Sequence, residues 1–260
     1  MINVLFVSLI FLFGMCIGSF LNVCIYRLPS SMSIINPSRS FCPLCNSAIP
    51  FYDNIPVLSY LWLKGRCRHC NAPISLRYPL VELMTGILAV AILFMFGLTP
   101  ESIVYFIFIS SLLVITFIDI DHQIIPDIIT LPGIPMGLAA SFILPAMTFK
   151  SSLLGLLVGG GSLFLVAWTY SLITRKEGMG GGDIKLLGMI GAFIGWKGVL
   201  FTIFVASLAG TFAGMIVVLL KGKNLKFAIP FGPFLSIGAM SYVFFGEKII
   251  FWYFYSFNLF

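Results

Sequence analysis

Apolar residues in this chain come in long runs, and run length, not short-range alternation, sets the predicted architecture. The first run extends from Ile2 to Tyr26, broken only by Asn3, Ser8, Ser19 and Asn22. About 20 apolar residues in a helix cross a bilayer core, so this run predicts a membrane span. It has no basic n-region and no small-residue cleavage site, and it is too long for a signal peptide. Met15 is a poor residue before a lipidated Cys16. The further predicted spans are Leu80–Gly97, Ser102–Ile118, Ile128–Ala146, Leu153–Ile173, Ile184–Gly195, Val199–Leu220 and Ile229–Phe245. The sixth of the eight, at 12 residues, crosses only if it extends at its ends or is partly re-entrant. The apolar tail Ile249–Phe260 is expected at the interface. No internal repeat stands out.

Composition agrees with this reading. Hydrophobic residues make up 60% of the 260 and charged residues 9%, against about 25% charged in soluble globular chains. Such a chain cannot coat a soluble globule of this size. That excludes a disordered segment, a secreted disulfide scaffold and a free nucleic-acid-binding domain.

The net charge of +6 does not point to nucleic acid, because the bases sort by membrane side. With the N-terminus outside, twelve bases fall on inner connections: Arg27, Arg39, Lys64, Arg66, Arg68, Arg77, Arg175, Lys176, Lys185, Lys221, Lys223 and Lys226. Lys150, Lys197 and Lys248 fall outside. By the positive-inside rule both termini then lie outside and residues 27–78 face the cytoplasm. The predicted organisation is a first transmembrane helix (1–26), a cytoplasmic cysteine loop (27–78) and a transmembrane domain (79–260). The fold class is an all-α polytopic membrane protein with about eight helices.

Four of the six cysteines lie in that loop, as Cys42-Pro43-Leu44-Cys45 and Cys67-Arg68-His69-Cys70. In each CxxC a tight turn aims two thiolates at one centre, and two such knuckles complete a tetrahedral S4 site. Asn46 and Asn71 follow the knuckles, where a residue tolerant of left-handed backbone suits the turn. Two disulfides or four free thiols are the alternatives. A cytoplasmic location argues against stable disulfides, so a structural zinc site is the favoured reading. The loop has little core of its own, and a metal would supply its folding energy. His69 reads as a surface residue, and Cys16 and Cys24 as small buried thiols.

Of only nine acids, four cluster in two places: Asp119, Asp121 and Asp127 around Pro126, and Asp183 after Gly180-Gly181-Gly182. Acids at the edge of apolar spans are costly and suggest function. Helix capping is the plainer explanation. It suits Asp121 and Asp127, and Asp183 also opens a helix. The glycines before Asp183 permit close approach of backbone or substrate. An aspartyl protease needs two carboxyls that share one proton.

These residues resemble the type IV prepilin peptidases among the GxGD membrane aspartyl proteases. The family's first motif, D-x6-P-D, matches Asp119 through Pro126-Asp127. Its second matches Gly180-Gly181-Gly182-Asp183. Gly18-Ser19-Phe20-Leu21-Asn22-Val23, Tyr26-Arg27-Leu28-Pro29, Asp53 through Ser59, Gly65-Arg66-Cys67 and Ser75 through Glu82 match its N-terminal stretch. The resemblance implies a catalytic pair, Asp119 and Asp183, supported by Gly180, Gly182, Asp121 and Asp127. It implies cleavage of the basic leader of prepilins and pseudopilins after Gly, at the cytoplasmic face of a bacterial inner membrane. It also implies N-methylation of the new terminus with S-adenosylmethionine, the lipid bilayer as surroundings, and no nucleic acid. Archaeal preflagellin peptidases lack the cysteine loop, and presenilin-like proteases have Tyr where this chain has Ile118.

The loop's bases would not attract a basic leader, so Asp53 and the aspartate cluster are the expected contacts. No Rossmann-type glycine fingerprint is present for the methyl donor. Asp53, Gly65, Arg66 and Glu82 are the candidates there, with a turn explaining Gly65 and an arginine pairing explaining Glu82. Two rivals compete: an ion-coupled transporter using the boundary aspartates, and a membrane zinc or redox sensor built on the cysteines.

Overall fold

In hydrocarbon a chain must satisfy its own backbone N–H and C=O groups, so long apolar runs fold as helices. The structure, a computed structural model, describes residues 3–37, 39–175, 180–221 and 230–256. The helices are α1 (Val4–Arg27), the short α2 (Leu58–Trp62), α3 (Arg77–Phe96), α4 (Pro100–His122), α5 (Asp127–Ala140), α6 (Phe149–Thr174), α7 (Gly181–Lys221) and α8 (Gly232–Ser256). Among the described residues β structure is confined to two isolated bridges in the cysteine loop. The helices α1, α3, α4, α6 and α7 are long and apolar enough to cross a membrane. The chain is an all-α multi-pass membrane protein.

The predicted sixth and seventh spans are two arms of α7. They meet at Gly195, whose φ of 72° and ψ of 175° break the helix in a region that glycine alone enters readily. The predicted fourth and eighth spans fall on shorter apolar helices, Asp127–Ala140 and Gly232–Gly246. Pro132 and Pro135 lie inside α5, which stops at Ala140 and not Ala146. Ile2, Lys176, Gly178–Met179, Lys223, Lys226, Ile229 and residues 257–260 of the predicted tail lie outside the described residues.

The chain divides into two compact units, Met1–Val114 and Ile115–Phe260, with the division inside α4. In the first unit α1 and α3 pack through small residues. A Cβ added at Gly14 would stand 2.8 Å from that of Ala89, and one at Gly18 2.7 Å from the Glu82 Cα. Close backbone approach of this kind is how apolar helices associate without a hydrophobic driving force. Asn22 Nδ2 donates to the Tyr78 carbonyl at 3.0 Å, pinning the two ends of the loop. Buried Arg27 donates to the carbonyls of Ser33, Ile34, Pro37 and Arg39. It therefore folds the chain back beneath α1, beyond its predicted topological role. Cys24 is buried as predicted, but Cys16 is exposed, because it lies on the outer face of α1.

In the second unit the backbones of α6 and α7 touch where Gly155 meets Gly191. The Ser152 hydroxyl donates to the Ala192 carbonyl across that contact. Leu186, Leu187 and Ile190 on α7 and Leu235 on α8 are fully buried. The N-terminal arm of α7, which carries Asp183, is thus set in a rigid core.

Candidate active site and metal centre

The cysteine loop contains a repeat that its sequence does not advertise. Cys42 N–H donates to Ser47 O, Asn46 N–H to Cys42 O, and Ile49 N–H to Ser40 O. Twenty-five residues on, Cys67 N–H donates to Ala72 O, Asn71 N–H to Cys67 O, and Ile74 N–H to Gly65 O. Asn46 and Asn71 both take left-handed φ, 54° and 56°, as their place after each CxxC predicted. Two copies of one knuckle thus face each other.

The four Sγ atoms of Cys42, Cys45, Cys67 and Cys70 lie within 4.8 Å of one another, and the group could hold a metal ion. Metal–sulfur bonds of ~2.3 Å in a tetrahedron imply sulfur–sulfur edges of ~3.8 Å. The Cys42–Cys70 separation is 3.8 Å, so that edge already has the length a tetrahedral metal–thiolate site needs. A hydrogen bond with Ser47 draws the Cys45 thiol down to about 6. Backbone N–H groups of Cys70 and His69 lower Cys67. The Ala72 N–H acts in the same sense on Cys70, yet desolvation and the neighbouring sulfurs push that thiol up to about 11. Four thiolates this close cannot all ionise without a cation among them.

Two of the loop candidates have structural partners. Asp53 accepts both Arg68 Nε at 2.7 Å and Arg68 Nη2 at 2.6 Å, and these bonds hold its carboxyl below the usual aspartate value. Its charge is spent on the second knuckle and is not displayed to a basic partner. Gly65 turns the chain at φ 68°, where a Cβ would meet the Tyr60 hydroxyl. Arg66 is exposed. Glu82 is buried, and its Oε2 accepts the Val57 N–H at 2.8 Å. Val57 has φ 62° and ψ −47°, and Leu58 N–H donates to Pro56 O at 2.6 Å. This is a γ-turn in a conformation that costs a β-branched residue dearly. The predicted arginine pairing of Glu82 does not occur among the described residues. A strained turn holds one oxygen, and no basic side chain among the described residues pairs with it.

The aspartates fall in the second unit. Helix α4 runs one turn past the predicted Ile118 boundary, so Asp119 is helical and only 5% exposed. The helix is closed by Gln123, at φ 55°, whose N–H donates to the Asp119 carbonyl at 2.9 Å. Asp119 Oδ2 accepts the backbone N–H of Gly232 at 3.0 Å, at the first residue of α8. A Cβ at Gly232 would stand 2.6 Å from that oxygen, and one at Gly182 2.9 Å from the Ile125 Cβ. Ile125 therefore sits between the N-termini of α7 and α8. Partly buried Asp183 opens α7, close enough for its carboxyl and that of Asp119 to feel each other's charge. The structure thus brings the two predicted aspartates together.

The supporting candidates divide. Asp127 takes Lys185 Nζ on both carboxylate oxygens at 2.8 Å, joining α5 to α7 two residues beyond Asp183. Gly180 lies against the Asp183 carboxyl, and Asp121 is exposed. Gly232 was missed, because the predicted span from Ile229 swallowed it. Its signal was present in Pro230-Phe231-Gly232-Pro233, since Pro favours the first turn of a helix.

Known proteins agree with both halves of this picture. Residues 12–96 match the bacterial peptidase A24 N-terminal domain, and residues 106–215 match the type IV leader peptidase family. A prepilin leader peptidase/N-methyltransferase of Aeromonas hydrophila is 39% identical, covering 96% of this chain and 94% of the relative. One of Pseudomonas putida is 36% identical over 94% and 92%. One of Myxococcus xanthus is 42% identical over 84% of this chain and 65% of the relative. No solved structure matches the chain significantly. The transporter and sensor readings find no support among these relatives. With motifs, helices and relatives in agreement along nearly its whole length, the chain belongs to the prepilin leader peptidase family.

Proposed function

We propose that this chain removes the basic leader from type IV prepilins and pseudopilins after a glycine. It then methylates the newly exposed N-terminus with S-adenosylmethionine. The first step uses Asp119 and Asp183 at the cytoplasmic face of the bacterial inner membrane. One carboxyl, ionised, takes a proton from water as its oxygen attacks the scissile carbonyl. The other, protonated, donates to the carbonyl oxygen. The proton taken from water passes to the leaving amine as the C–N bond breaks, and the hydroxyl formed on the carbonyl oxygen returns its proton to the second carboxyl, which resets the pair. Asp127 and Lys185 brace α7 beside the dyad. Cys42, Cys45, Cys67 and Cys70 would hold a zinc ion that shapes the loop, and a bound methyl donor would supply an electrophilic methyl group to the amine.

The observation that supports this reading most is the Asp119–Gly232 hydrogen bond beside Asp183. It buries one carboxyl against a fixed donor, next to a second. The test is mass spectrometry of a prepilin incubated with the protein in detergent, with and without S-adenosylmethionine, alongside Asp119→Ala and Asp183→Ala. Wild type alone should release the leader, and with the cofactor the product should gain one methyl group. Cleavage by either alanine variant would remove the dyad. Cleavage without methylation would remove the second activity.

A further inference from the structure

The short helix α2, between the two knuckles, turns its apolar face outward. Leu58, Leu61 and Trp62 stand at i, i+3 and i+4 on one face and are 61%, 64% and 83% exposed. Ser59 and Tyr60 are half-buried, with the Tyr60 ring against Gly65. Lys64, at φ 50°, and Gly65 end the helix. A loop surrounded by water would place these residues the other way, and a cluster of large exposed apolar side chains marks an interaction surface.

Depth along α3 identifies the partner. Helix α3 has 20 residues, which at 1.5 Å per residue makes about 30 Å, the full thickness of a hydrocarbon core. The membrane boundary therefore lies near Arg77, the first residue of α3. Glu82 stands about 7.5 Å further along the helix axis, and its Oε2 holds the Val57 amide at 2.8 Å. Val57 is the residue before α2. The start of α2 is thus pinned to the side of α3, inside the boundary. Its five residues carry the chain no more than about 7.5 Å from that point. Amphipathic helices lie in the headgroup and acyl boundary at a depth of ~5–10 Å. Leu76 and Leu80, both exposed, present further apolar surface where α3 begins. Charge favours the same partner. Lys64 and Arg66 follow α2 and are exposed, while Asp53, the single acid between residues 27 and 78, is held by Arg68. Bases beside an apolar face suit the phosphates of anionic lipid. We propose that α2 lies in the bilayer interface, with Leu58, Leu61 and Trp62 among the acyl chains and Lys64 and Arg66 at anionic headgroups. The cysteine loop is then seated in the leaflet, and the strained turn at Val57 is what holds α2 there.

The test uses the full chain with its metal, in lipid nanodiscs of phosphatidylethanolamine and phosphatidylglycerol. Trp168→Phe, Trp196→Phe and Trp252→Phe leave Trp62 as the single tryptophan. Lipids brominated near the glycerol end of their chains should quench its emission by about half or more at this depth, and aqueous acrylamide should quench it weakly. A second protein that also carries Leu58→Asn and Leu61→Asn should lose the lipid quenching and become open to acrylamide. Metal content and the size-exclusion profile report folding of both. Strong acrylamide quenching without lipid quenching in the folded parent would overturn the proposal. Protection from both quenchers would overturn it too, as would protection from acrylamide that arises only when a prepilin is added, since protein and not lipid would then cover α2. Lipid quenching unchanged by the two Asn substitutions in a folded protein would also count against it.

Discussion

The Gly232→Ala variant tests the proposed dyad most directly, because it perturbs Asp119 without touching its charge. A Cβ built at Gly232 stands 2.6 Å from Asp119 Oδ2, against 3.4 Å for an ordinary contact. The oxygen must therefore retreat by about 0.8 Å. That lengthens the 3.0 Å bond from the Gly232 amide past the range in which it counts as a hydrogen bond. A hydrogen bond to a charged group is worth about 1.5–3 kcal/mol, or about 10- to 150-fold in rate. A displacement approaching 1 Å at a reacting group costs on the order of 10²-fold by itself. The expected result is a fall of about 100-fold in kcat for cleavage of a prepilin in detergent, with KM little changed. Methylation of an already processed pilin, which needs no peptide hydrolysis, should persist and so report a folded protein. Gly161→Ala controls for a glycine change within a helix, since nothing lies within 4 Å of a Cβ there. A Gly232→Ala enzyme with kcat within about threefold of wild type would refute the argument that this amide positions Asp119 for hydrolysis.

Three further outcomes are expected. Gly182→Ala should reduce cleavage strongly because its Cβ meets Ile125, whereas Gly181→Ala, with open space around it, should leave the rate within about twofold and raise the melting temperature slightly; both are read from initial rates and thermal unfolding. Lys185→Ala should lower stability by no more than about 1 kcal/mol, because both partners of the Asp127 ion pair are substantially exposed, and unfolding of wild type and variant in parallel would measure it. Cys42→Ser should reduce the metal content from one per chain to near zero by elemental analysis and abolish methylation, while a chelator applied to wild type should do the same and added zinc should reverse it.

Helix formation, the metal-competent knuckles and the two aspartates were legible in the residues because each rests on local chemistry. An apolar run must satisfy its own backbone in a membrane. A CxxC followed by Asn encodes its own turn, and both turns formed as written. Acids standing alone at the edge of such runs announce themselves by their cost. The exact ends of α4 and α5 were less legible, since one more turn or one fewer depends on what the helix end meets.

Tertiary structure decided what those residues touch. The amide on Asp119 comes from 113 residues away, and the lysine on Asp127 from 58. Asp53 looked available to a basic leader until folding set Arg68 on both its oxygens. Glu82 looked like half of an arginine pair until packing buried it beside a strained turn. Local pattern dictates where a chain becomes helical or bends because those energies involve neighbours in sequence. Which donor reaches a carboxylate, and whether a space remains between two helices, depend on close approach of distant segments. Here that approach is governed by glycines at Gly14, Gly18, Gly182 and Gly232, where any side chain would hold the partners apart.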